Sequence, residues 1–145
     1  MLGLEALREQ HDAAMAMADR LLELVDRYAP PQPVYPIVMQ LNRLHGLLRV
    51  HLAHEDVDLY PHLIASSDPS VARSAQHFVD EMGGLAAEFE QFARYWSCSA
   101  SIAGSFEEFR ESLHELMLRL AVRIERENLW LYPVAQAETS RRDAA

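Results

Sequence analysis

Residues 51–61 read HLAHEDVDLYP and residues 123–133 read RIERENLWLYP, so one pattern occurs twice, with Arg123 standing where the first copy has His51. On a helix, residues four apart lie about 40° apart around the axis and project from one face. His51 and Glu55 therefore share a face, and so do Arg123 and Glu127. A histidine beside a carboxylate is half of a metal site, and two halves facing each other across a helical bundle make a whole one. The second half here carries a cation in place of a ligand.

The rest of the chain supplies helices for these faces. Leu4, Leu7, His11, Ala14, Met15, Ala18, Leu21, Leu22 and Val25 recur at spacings of three and four, which predicts a first helix over residues 4–28, ended by PPQPVYP. A second opens near Pro36, whose fixed φ suits a first turn. It runs through Leu41, Leu44, Leu48, His51, Leu52 and Glu55, then continues through Pro61 or kinks there. Asp68 followed by Pro69 signals the start of a third helix reaching Trp96, weakened in its middle by Gly83 and Gly84. After a loop at SCSASIAG, Ser105 and Glu108 have the capping-box spacing, and a fourth helix runs to about Tyr132 and Pro133. No strand or hairpin pattern is present. The expectation is an all-α fold: an up-down-up-down antiparallel four-helix bundle over residues 4–135 of a single domain, 1–145, with a mobile tail over 136–145. His11 precedes the HxxxE of helix two as His77 precedes the RxxxE of helix four, so the chain divides into two similar hairpins about a pseudo-two-fold axis.

A length of 145 residues suits one domain with a real core, and a chain 50% hydrophobic and 24% charged reads as globular rather than disordered. A net charge of −9 and a pI near 5.2 oppose a nucleic-acid or anionic-membrane partner, because phosphate binding needs a concentrated positive face. No apolar run approaches the roughly 20 residues of a membrane span. The first residues lack the basic and apolar segments of a signal peptide. The single cysteine, Cys98, forms no internal disulfide and reads as an incidental loop thiol, so a reducing cytoplasm is the expected compartment.

His11, His51, Glu55, His77, Glu81 and Glu127 come from all four predicted helices, each aligned with an apolar stripe. Taken singly, a helical histidine is more often a surface or satisfied core residue, and an HxxxE pair is often a simple i, i+4 contact. Taken together, burying three carboxylates costs several kcal/mol each unless cations or protons compensate them. Imidazole and carboxylate suit iron, zinc or manganese, whereas a soft-metal site calls for thiolates. His54 reads as a surface residue, His114 lies on the opposite face of its helix, and His45 and His62 are off the stripe. Met15, Met39, Phe78, Phe89, Phe92, Trp96 and Trp130 read as core packing.

With these residues the chain resembles the hemerythrin family, specifically the bacterial HHE cation-binding domains, over about residues 4–135. The resemblance implies a four-helix bundle holding a non-haem di-iron centre. It makes His11, His51 and His77 terminal ligands, Glu55 and Glu127 bridging carboxylates, and Glu81 a further third-helix ligand. The pattern fails at Arg123, where a histidine would stand, because a guanidinium stays protonated and has no lone pair to donate. Glu55, Glu81 and Glu127 against Arg123 leave two negative charges, which one divalent cation balances; two cations need a bridging oxide or hydroxide as well.

Three functions compete. The leading one is a cytoplasmic metal-binding protein, holding one or two iron ions, that handles or senses iron, dioxygen or a related small ligand without being an enzyme. The second is a di-iron oxidase or peroxidase using the coordination position that Arg123 leaves open. The third is a metal-free helical interaction module in which Arg123 replaces the metal charge.

Overall fold

The computed structural model describes residues 3–144, apart from the side chain of Arg142. The elements are α1 (Leu4–Asp26), α2 (Tyr35–His54), a first π-helical turn (Glu55–Leu59), α3 (Tyr60–Ile64), α4 (Pro69–Met82), α5 (Leu85–Tyr95), α6 (Ser99–Gly104), α7 (Phe106–Arg126), a second π-helical turn (Glu127–Leu131) and α8 (Tyr132–Ala144). No strand occurs among the described residues, so the fold is all-α. Among the described residues, no helix is long and apolar enough to cross a membrane.

The two sequence copies fold alike. A proline inside an α-helix lacks the i→i−4 donor, and its ring crowds the carbonyl four residues back. A π turn relieves both problems by widening the helix before Pro61, with the Tyr60 N–H bonded to Glu55 O. The second copy repeats this before Pro133, with the Tyr132 N–H bonded to Glu127 O. The helical path therefore continues past each proline, to Ile64 and to Ala144. The fourth run does not end near Pro133 as the sequence predicts, and residues 136–144 continue α8. Glu138, which is buried, accepts from Ser66 Oγ at 2.9 Å, and Arg141 pairs with Asp68 at 3.5 Å, so α8 is tied back to the start of α4.

Elsewhere the expectations meet mixed outcomes. Asp68 caps α4 by accepting from the Ser70 N–H at 2.9 Å. The third run breaks at Gly83 and Gly84, where a Cβ on Gly83 would stand 2.5 Å from Val79 O. SCSASIAG is not all loop: α6 forms within it and buries Ile102. Ser105 precedes α7 but its side chain caps nothing, and Glu108 instead accepts from the Tyr95 hydroxyl, so the capping box is absent. Phe78, Phe89 and Trp96 are buried, Met15, Phe92 and Trp130 are partly so, and Met39 faces solvent rather than the core.

α1 packs on α2 and α7, α5 packs on α2 and α7, and α3 packs on α4. The buried apolar side chains fall into two clusters. One runs from Ala14 to Val25 on α1, Ile37 to Leu52 on α2, and Phe109 to Ile124 on α7, with Leu85 and Phe89 of α5. The other joins Leu7, Leu59, Tyr60, Leu63, Ala75, Phe78, Leu131, Tyr132 and Ala135. Between them, on α1, on α2 with the first π turn, and on α7 with the second, stand polar residues.

Candidate metal centre

Those polar residues are His11, His51, Glu55, Arg123 and Glu127, each at most 1% exposed. His11 follows Leu7 on the buried face of α1, His51 follows Leu48 on α2, and Arg123 and Glu127 follow Leu120 on α7 and the second π turn. One ligand-capable atom from each of His11, His51, Glu55 and Glu127 lies within 4.8 Å of all the others.

The two histidines are oriented alike. His11 Nδ1 lies 2.8 Å from Asn128 Oδ1, and His51 Nδ1 lies 2.7 Å from Gln10 Oε1. An amide oxygen only accepts, so both Nδ1 atoms carry hydrogen and a neutral ring presents a lone pair at Nε2. His11 Nε2 faces Glu127 Oε1 at 3.0 Å, and His51 Nε2 faces Glu55 Oε1 at 3.1 Å. His51 Nε2 is buried with no hydrogen-bond partner. Lone pairs opposed to carboxylate oxygens at these distances repel unless a proton or a cation sits with them. Two imidazole nitrogens and two carboxylates converging in this way fit a divalent metal ion, and the amide oxygens behind them fix the rings as outer-shell partners do.

Comparison with family models gives one match, to the hemerythrin HHE cation binding domain, over residues 2–135. The chain belongs to the hemerythrin HHE family. No curated protein and no solved structure matches it.

In this hemerythrin-family chain the far side of the carboxylates is taken up by Arg123. Arg123 points inward. Its Nε donates to Glu127 Oε2 at 3.2 Å, Nη2 to Glu55 Oε1 at 3.3 Å and Asp56 Oδ1 at 3.0 Å, and Nη1 to Met82 O at 3.2 Å. The guanidinium also lies over the Tyr60 ring, 5.2 Å from its centroid. Met82 O can accept because α4 ends there, leaving a carbonyl without a helical partner. The carboxylates thus bridge a histidine side and an arginine side.

Two tyrosines close the carboxylates in. The Tyr60 O–H donates to Glu127 Oε2, and the Tyr132 O–H donates to Glu55 Oε2 at 2.7 Å while lying 2.9 Å from His11 Nε2. Each copy's LYP tyrosine therefore holds the other copy's glutamate. Burial raises both phenols far above their ordinary range, with the two carboxylates adding to it, so both keep their protons. Burial lowers His51 to about 4, against the pull of Glu127, so its ring is neutral at neutral pH. Burial also raises Glu55, and the neighbouring Glu127 charge adds to it. Burial works against Glu127 as well, but the Arg123 charge and the hydrogen bond from Tyr60 help to overcome it and hold that carboxyl low. Without a metal the pair therefore shares its charge unequally, with Glu127 ionised.

Of the six residues the sequence assigns to the metal, the structure gathers four. His77 and Glu81 are not among them: they face solvent, paired with each other at 2.8 Å, and Glu81 also pairs with Arg126 at 2.6 Å. Phe78 takes the inward position on α4. Gln10, Asp56, Asn128, Tyr60 and Tyr132 are the members that the sequence reading does not pick out. Asp56 and Asn128 occupy the same place in the two copies, directly after the glutamate. The carboxylate meets the guanidinium and the neutral amide meets an imidazole. His54 pairs with Asp58, His45 with Glu90 and His114 with Asp26, all away from the centre.

Proposed function

We propose that this chain binds a single divalent cation, iron by preference, through His11, His51, Glu55 and Glu127, and uses it to bind or sense dioxygen or a related small ligand. The observation that carries the reading is the buried His51 Nε2, held unprotonated by Gln10 and aimed at a carboxylate with nothing between them. The charge count supports one ion. Glu55, Asp56 and Glu127 against Arg123 leave two negative charges, so Asp56 takes the place in the sum that Glu81 holds in the sequence reading. Bound iron would supply a Lewis-acidic, redox-active centre, while the protein holds the imidazoles, excludes water and keeps the phenol protons on Tyr60 and Tyr132. The setting that suits this is an up-down-up-down bundle formed as one domain in the cytoplasm, with a metal ion rather than a nucleic acid as partner.

Elemental analysis of protein purified without chelators tests the reading, with about one equivalent of iron, zinc or manganese expected per chain. No bound metal, even after anaerobic reconstitution, would sink it. A second reading, the metal-free module, draws on the four bonds by which Arg123 already satisfies the carboxylates. It leaves the His51 lone pair without a purpose, and the same elemental analysis separates the two. Metal-dependent turnover of peroxide would move the assignment to the oxidase class.

A further inference from the structure

His77 and Glu81, outside the metal centre, border a groove of about 530 Å³ between α4 and the second π turn. Its apolar wall is Phe78, Leu129 and Trp130, and Arg73 and Arg126 stand at its edge. The volume lies within the roughly 300–1,000 Å³ of small-molecule sites.

Two features of this groove bear on what it could hold. The first is its wall. The π turn leaves Leu129 73% exposed, while Trp130 stacks on Phe78 with centroids 6.1 Å apart. The first copy of the repeat makes the same turn with Val57 and Asp58 at the equivalent places, so the turn itself demands no aromatic ring there. The second is its charge. Glu81 is held between His77 and Arg126, which neutralises Arg126. Arg73 has no acidic partner among the described residues. A chain of net charge −9 thus presents, beside an aromatic and aliphatic wall, one uncompensated guanidinium.

We propose that the groove is a binding site for a small amphipathic anion: a flat apolar body lying over Leu129 and Trp130, with a carboxylate or sulfonate on Arg73. Guanidinium matches such oxoanions with paired N–H donors, and the indole offers its face to a planar body. Phe78 also lies 5.5 Å from the Tyr60 ring, whose hydroxyl donates to Glu127, so an occupant is separated from the metal centre by two aromatic layers.

The test titrates the full-length protein, as purified, with two fluorescent probes. One is 1-anilinonaphthalene-8-sulfonate; the other is N-phenyl-1-naphthylamine, the same body without the anion. Saturable binding near one equivalent is expected for the sulfonate, weaker for the neutral probe. Arg73→Glu should weaken the sulfonate about tenfold or more and leave the neutral probe unchanged, since only the charge-assisted contact is lost. Leu129→Asp, at an exposed position that cannot disturb the core, should weaken both. Arg43→Glu, a reversal at another exposed arginine, should change neither and so controls for overall charge. Non-saturable sulfonate binding, or affinities within about twofold of the parent in both groove variants, would overturn the assignment.

Discussion

Replacing Arg123 by methionine removes the guanidinium charge and keeps much of the apolar stem. In the parent that group is 1% exposed and makes four bonds of 3.0 to 3.3 Å, three of them to carboxylates. Each charge-assisted bond is worth about 1.5–3 kcal/mol, but four do not add, because taking the charge out of water opposes them. The relevant magnitude is that of a buried ion pair broken from one side, about 3–5 kcal/mol. At roughly 2–4 °C per kcal/mol for a chain near this length, the melting temperature should fall by about 10 °C. Thermal unfolding followed by circular dichroism, with chelator present, reads the full loss. Added zinc or ferrous iron should return part of it, because the bound ion supplies the missing positive charge and no longer meets a repelling neighbour. A melting temperature within about 1 °C of the parent in chelator would refute the reasoning, and so would a loss that metal leaves untouched.

Asn128→Leu and Gln10→Leu should each weaken metal binding by about 10–100-fold in calorimetric titration, with Asn128→Asp closer to the parent because it keeps the acceptor. Equal weakening by both Asn128 variants would show that the acceptor does not orient His11. His77→Ala should leave metal stoichiometry unchanged, whereas His51→Ala should abolish tight binding while the far-ultraviolet spectrum stays helical. Gly83→Ala should destabilise the protein by about 1–3 kcal/mol in urea unfolding, since its Cβ would press on Val79 O from 2.5 Å. A neutral or stabilising result there would mean that the break relaxes easily.

The helices and four of the site residues were legible because both are written in local spacing. His11, His51, Glu55 and Glu127 lie on apolar stripes that must face inward, whatever the tertiary arrangement. His77 fails by one residue. Ala75, Phe78, Val79 and Met82 form the apolar stripe of α4, and His77 with Glu81 sits about 130° from its centre, a signal available in the sequence but outweighed by the repeated HxxxE spacing. The tyrosines stood inside the LYP motif that marks the repeat, yet their reach across to the opposite glutamate is a long-range fact that spacing does not encode. The same holds for Gln10 and Asn128, whose partners lie 41 and 117 residues away. Pro133 misled in the opposite direction, because a breaker's local penalty vanishes once a π turn widens the helix around it, as the reading allowed at Pro61.

The division of the apolar interior into two clusters by a layer of charge has a consequence for cooperativity. Neither half is closed on itself: the smaller cluster depends on Leu7, Tyr60 and Tyr132, and both tyrosines end on carboxylates of the layer. The two halves are expected to unfold as one unit while that layer is neutral and bonded. With Arg123 replaced, the region around α3, α4 and α8 is expected to become a separate cooperative unit that opens first, its amides exchanging in hydrogen-exchange measurements while those of α2 and α7 in the larger cluster stay protected.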